Sequence, residues 1–394
     1  EKALVHELTG GEKPKESARS VVRSLELMLG RYGRLSVQFG KPLSLHDVLR
    51  ELDSRSTTED LAAMSPARRR AVITRLAYRV MNEINAVTAV TPGSLVATAL
   101  LAHERRGLPQ ADLVAACERL ARTLRRAGAR FSPSLAERTS GAGPLVRATA
   151  LREAVDMFVR AKHVQAHRVG EDTIYVVPPE ARMSLDLAKN VIIHFFAPRA
   201  IVATALLASP GPPLPFDTVR DRVLALSRLF KYEFTFRADA SFEQIFEEEV
   251  AAMEADGELS RDMSKSNDGP GGLQPNGDDG REQLALYGRL LENFVEGYRI
   301  GARGLSALLR GPLATKETVR RAMTSGERMF LAGEIARREA ISSPMLENAY
   351  ASFIDQGYVS RTDGKLALSP SFATASAVAT IEARVAAMGV ASQT

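Results

Sequence analysis

Few residues in this 394-residue chain stand where their chemistry would be conspicuous, and the six histidines come first among them. His194 interrupts an apolar run, Asn190–Ile201, that also contains Pro198 and Arg199. An imidazole beside Phe195 and Phe196 could act as a base near an apolar substrate. The same surroundings suit a core histidine with its ring nitrogens satisfied, and that is the reading adopted. Cys117 is the only cysteine, which excludes an internal disulfide and a cysteine zinc cage and fits a cytosolic compartment. Neither a Gly-rich nucleotide loop nor a Ser-His-Asp arrangement can be picked out. The strongest charge feature is arginine: Arg68–Arg70, and Arg119, Arg122, Arg125 and Arg126. With a net charge of +5 and a pI near 9.3, these clusters suit an anionic partner or form a solvated helix face. Nucleic acid is the weakest candidate, because the chain has no tryptophan, 6% aromatic residues and no recognisable binding motif.

The elements that would position these residues are mostly helical. With 45% hydrophobic and 25% charged residues the chain can bury a sizeable core, and its length predicts two or three domains. A helix is expected over 14–31, a strand over Arg34–Phe39 and a second helix after Ser44, together resembling the edge of an α/β domain. Ser65 and Pro66 begin a helix with apolar positions at Val72, Ile73, Leu76, Val80 and Ile84. Helices follow over Pro92–Ala102, Gln110–Ala127 and 145–162. Residues 164–177 read as a hairpin turning at Gly170, which suggests a winged-helix-like substructure. One long helical stretch is expected over 180–208, kinked at Pro198. Its apolar part, Ile192–Ala208, is too short and diluted to span a bilayer and reads as a core helix, with an interfacial helix as the alternative. Helices over 217–231 and 241–255 precede a polar segment, 264–280, expected to be a disordered linker. A helical block over 281–388 carries a second wing near Tyr358–Leu368. No internal repeat is apparent.

Asn190–Ile201 resembles a stretch of the bacterial and mitochondrial glycerol-3-phosphate acyltransferases that lies beyond their catalytic domain, with Val191 in place of an asparagine. Three further stretches resemble the same family in the same order: Gly10 to Leu45, Ile84–Leu95, and Gly326 to Ser343. The resemblance implies a membrane-peripheral glycerol-3-phosphate 1-O-acyltransferase of phospholipid synthesis, at the cytoplasmic face of the cell membrane. Its partners would be glycerol 3-phosphate and acyl-CoA or acyl carrier protein. It implies a mainly α fold: a helical C-terminal domain with small β-hairpin wings, preceded by the closing α/β edge of an acyltransferase domain. On this basis residues 1–60 belong to that edge, 61–263 to a helical domain with its hairpin near 164–177, 264–280 to the linker, and 281–394 to a helical block packing on the preceding domain.

The family's chemistry rests on a histidine followed after four residues by an aspartate, the histidine deprotonating the glycerol hydroxyl. His167 and Asp172 alone have this spacing, but they bracket a hairpin tip and follow the segments that resemble the post-catalytic region. His46 and Glu51 share the spacing within one helix and carry less weight. Phe294–Arg299 is similar to the family's phosphate-binding loop, with Tyr298 in place of threonine. It continues a helical stripe through Leu286, Leu290 and Leu291, where backbone amides are spent on the helix and cannot cradle phosphate. No catalytic, cofactor-binding or metal-binding residue is therefore assigned, and the chain is expected to be inactive as a fragment. The alternative is a non-enzymatic helical scaffold with winged-helix-like modules.

Overall fold

The computed structural model describes residues 2–11, 37–52, 63–103, 107–136, 146–209, 211, 213–235, 237, 240–262 and 271–390. Among them the chain is mainly α, as expected, with small antiparallel sheets attached to the helices. The helices are α1 (Lys2–Leu8), α2 (Leu45–Leu52), α3 (Pro66–Val87), α4 (Pro92–Ala102), α5 (Gln110–Arg126), α6 (Ala148–Arg160) and α7 (Arg182–Asn190). They continue with α8 (Ala197–Leu207), α9 (Phe216–Leu229), α10 (Phe242–Ala255), α11 (Gly277–Gly304), α12 (Thr315–Leu331), α13 (Ser343–Asp355) and α14 (Ala375–Ala386). Several starts are set by side chains that satisfy free helix amides. Ser65 accepts from Arg68 N at 3.3 Å, and Thr91 and Ser94 form a reciprocal capping box ahead of α4.

From α4 through residue 368 one arrangement occurs three times: helix, two-residue strand, helix, helix, hairpin. The strands are β2 (Leu108–Pro109) with β4 (Gln165–Val169) and β5 (Asp172–Val176), then β6 (Leu214–Pro215) with β7 (Leu259–Asp262) and β8 (Gly272–Pro275). The third set is β9 (Leu313–Ala314) with β10 (Val359–Thr362) and β11 (Lys365–Leu368). In each sheet the last strand is central, flanked by the two-residue strand and its hairpin partner, all antiparallel. This is the winged-helix connectivity, and the first helices of the three units are α4, α8 and α11. A separate parallel pair, β1 (Ala89–Val90) with β3 (Arg130–Phe131), belongs to the first unit.

The third helix of each unit ends the same way. The N–H of His163, Glu258 and Tyr358 donates to the carbonyl of Phe158, Met253 and Phe353 at 2.9, 2.9 and 3.0 Å. The preceding residue is left-handed in each case: Lys162 (φ 61°), Gly257 (φ 75°) and Gly357 (φ 75°). One continuous apolar core runs from Val90 to Val385 through all three units. The first helices form its axis, with α8 against α11, and α11 against α12, α13 and α14.

Several expectations are corrected. The repeat was not apparent in the sequence, yet Gly257–Arg261 and Gly357–Arg361 share Gly-x-apolar-Ser-Arg, and Thr218–Arg220 matches Thr318–Arg320. Residues 180–208 are not one helix kinked at Pro198. The chain breaks over 191–196 in a 3-10 turn, and Pro198 sits in the first turn of α8, where its missing N–H costs nothing. Of the expected linker, 264–270 lies outside the described residues, whereas 271–280 is strand β8 and the start of α11. Leu273, wholly buried, anchors that strand. The helix expected over 14–31 and positions 34–36 lie outside the described residues, and 37–39 form no strand.

Candidate docking face and buried polar network

Helix α3 is amphipathic but turns apolar side chains outward. Only Val72 of its 22 residues is buried, while Ile73 is 58%, Val80 39% and Ile84 51% exposed. Positions 73, 80 and 84 recur at helical spacing and form one stripe. Phe39, 84% exposed, lies near the C-terminal end of the helix, since Gly40 lies against Val87 and Glu83. Arg68, Arg75 and Arg79 share a different face of α3. Helix α2 packs on α3 with Val48 and Leu49 buried, and His194 Nε2 meets the Asn85 carbonyl at 2.9 Å, joining α3 to the body. Such an exposed apolar stripe is a candidate docking surface.

Behind this face, charged groups join the three units inside the core. Arg199 on α8 is nearly buried and donates from Nε to Glu249 at 2.9 Å and from Nη1 to both oxygens of Glu258 at 3.0 Å. The same Nη1 lies 2.8 Å from Asp256, which also faces Arg126 of α5 at 3.1 Å. Tyr287 of α11 donates to Glu258 at 2.6 Å and lies 2.7 Å from the hydroxyl of Thr123 on α5. One connected set thus takes a residue from each unit. Burial raises the Glu258 carboxyl, opposed by the Tyr287 and Arg199 donors.

A second set, around α7, is equally enclosed. Lys189 Nζ reaches Asp186 at 2.8 Å and Asn293 at 3.0 Å, and Asn190 donates to Asp186 at 2.8 Å. Arg182 holds the buried Glu339 with two bonds of 2.6 Å. Every one of these acids is tied to a donor. They join elements and present no free base or nucleophile.

The sequence-singled residues do not converge. His167 and Asp172 lie on β4 and β5, exposed and paired with Ile174 and Val169. Phe294–Arg299 lies in the interior of α11. Glu296 accepts the amides of Ala336 and Arg337 at 2.8 and 2.7 Å, Arg299 pairs with Glu382, and Gly297 is pressed against Met345 and the Ala340 carbonyl. The glycine there serves helix packing. Glu296 is nonetheless pushed up to about 7 by burial. His194 is held below its ordinary range by burial and is neutral at pH 7, as a core histidine should be. Helix α8 is buried at nearly every position, so it is a core helix and the interfacial alternative fails. Arg122, Arg125 and Arg126 are exposed. Among the described residues no acidic and histidine cluster suits a metal, and no helix is long and apolar enough to cross a membrane.

Three stacked winged-helix-like units joined by a polar lock define a mainly α, helical domain. The model of the glycerol-3-phosphate acyltransferase C-terminal region matches residues 4–362, and the chain belongs to that family. The plsB1 protein of Mycobacterium tuberculosis, which is named as an acyltransferase, is 29% identical over 255 residues, 63% of this chain and 38% of its own length. The glycerol-3-phosphate acyltransferase of Shewanella pealeana is 37% identical over 110 residues, covering 27% of this chain and 13% of that protein. That of Shewanella amazonensis is 28% identical over 203 residues, covering 51% and 24%. The matched region thus spans well under half of each relative.

Proposed function

We propose that this chain is the C-terminal, non-catalytic part of a glycerol-3-phosphate 1-O-acyltransferase. The whole enzyme would transfer an acyl group from acyl-CoA or acyl carrier protein to glycerol 3-phosphate. Its product, 1-acyl-glycerol 3-phosphate, enters phospholipid synthesis. The stripe of Ile73, Val80 and Ile84 carries the reading, since it supplies an apolar face on a domain whose buried Asp186, Glu258 and Glu339 are tied to internal donors. That face holds the catalytic part. The exposed Arg122 and Arg125 face the anionic cytoplasmic leaflet, where each basic residue contributes about 1 kcal/mol. Nucleic acid is no partner: α10, at the place a helix-turn-helix reader lays in the major groove, exposes Glu243, Glu247 and Glu248, which repel phosphates.

The test is acyl transfer from palmitoyl-CoA to glycerol 3-phosphate, with size-exclusion chromatography alongside. The chain alone should give no turnover. Mixed with the part of the plsB1 protein that it does not match, it should form a complex that Ile73→Asp with Ile84→Asp abolishes. Turnover by the chain alone that disappears in His167→Ala would overturn the proposal.

A further inference from the structure

The second unit contains a cavity that the docking face and the polar lock do not use. It lies between α8, α9 and α10 and has a volume of about 270 Å³. Ile201, Val202, Val223, Leu224, Phe242 and Phe246 line it, and its exposed wall is overwhelmingly apolar. Three cations stand at its edge: Arg228, Lys231 and Arg237. Lys231 pairs with Asp355, and Arg237 with Glu248 at 2.8 Å, with every partner at least 39% exposed. Pairs this exposed are weak and exchange readily for another anion. Arg228 is exposed and has no acidic partner among the described residues. The one acid on the wall, Glu249, is bound by Arg199 at 2.9 Å.

An apolar slot with a cationic rim selects for a molecule with both characters. Burial of methylenes drives the chain inward, and the rim charges discriminate among head groups. Ligand pockets generally span roughly 300–1,000 Å³, so this smaller slot holds a hydrocarbon segment and leaves the head group at the rim. We propose that the cavity binds a single-chain amphiphile with an anionic head group. The cavity supports this binding whether or not the chain serves in acyl transfer.

The experiment measures binding to the 394-residue chain by isothermal titration, with each amphiphile kept below its micelle concentration. Dodecyl phosphate is the probe, and dodecyl maltoside and inorganic phosphate are the comparisons. Dodecyl phosphate should bind at least tenfold more tightly than dodecyl maltoside, and inorganic phosphate should not bind. Leu224→Trp fills the slot and should weaken dodecyl phosphate at least tenfold. Ser227→Trp on the same wall provides the same test should Leu224→Trp fail to fold. The combined Arg228→Gln, Lys231→Gln and Arg237→Gln variant should bind the two amphiphiles equally. Absent binding, equal binding by the wild-type and tryptophan variants, or a head-group preference unchanged in the rim variant would each overturn the proposal.

Discussion

Replacing Arg199 by methionine keeps an unbranched apolar stem and removes the guanidinium with its charge. Arg199 is 8% exposed and contacts Glu249, Asp256 and Glu258, which are 21, 16 and 6% exposed, at 2.8–3.0 Å. Truncating Arg199 leaves Glu249 without its donor and Glu258 with Tyr287 alone, and breaking so enclosed a set costs about 3–5 kcal/mol. The pH dependence follows from the acids left behind. Burial already raises Glu249 and Glu258 above the ordinary carboxylate value of about 4.3, and Arg199 opposes that rise. Without it both rise further. A carboxyl whose folded pKa exceeds its unfolded one binds protons on folding, so stability falls as pH climbs through that window. The deficit of Arg199→Met should therefore be greatest at pH 8 and shrink toward pH 5. Urea unfolding followed by far-ultraviolet circular dichroism at both pH values measures it, the chain having no tryptophan. A loss below about 1 kcal/mol at pH 8, or one independent of pH, would refute buried-charge compensation as the role of Arg199.

Three further outcomes are expected. Lys162 occupies a left-handed position that glycine fills in the other two units, so Lys162→Gly should raise stability by about 0.5–1 kcal/mol, read as a higher melting temperature. Gly304→Ala would place a Cβ 2.7 Å from that of Ala322 and 2.5 Å from the Tyr350 hydroxyl, so it should cost about 1–3 kcal/mol in urea unfolding despite alanine's better helix propensity. Cys117 is fully buried and its thiol is raised by burial, so iodoacetamide should label it in denaturant and leave it unmodified in the native chain.

Much of the helix content was legible because its signals are local. Ser44 and Ser65 cap their helices, and Gly170 marks a hairpin turn. The break over 191–196 was not, because an apolar run reads the same through a helix and through a buried 3-10 turn. Strand β8 was hidden for a related reason: four residues with one buried leucine give no periodic pattern, and pairing with β7 and β6 makes the strand. The stripe on α3 shows another limit. Periodicity identified Ile73, Val80 and Ile84 as one apolar face, but it cannot say whether that face is buried or exposed. The polar lock escaped because its members are far apart in sequence, Thr123 and Tyr287 among them.

The shared ending of the third helices turns the molecule into its own control experiment. Counting back from the left-handed residue aligns Glu249 with Ala154 and Ala349, and Glu258 with His163 and Tyr358. Both neighbouring copies close the same corner without a carboxylate, one around alanine and histidine, the other around alanine and tyrosine. The backbone architecture is thus compatible with a neutral corner. What the middle copy gains from its acids is attachment, through Tyr287 and Arg126, to the copies on either side. A middle copy rebuilt with its sisters' residues should keep its own shape and lose its grip on them, so internal duplication has left two places where folding and assembly can be varied separately.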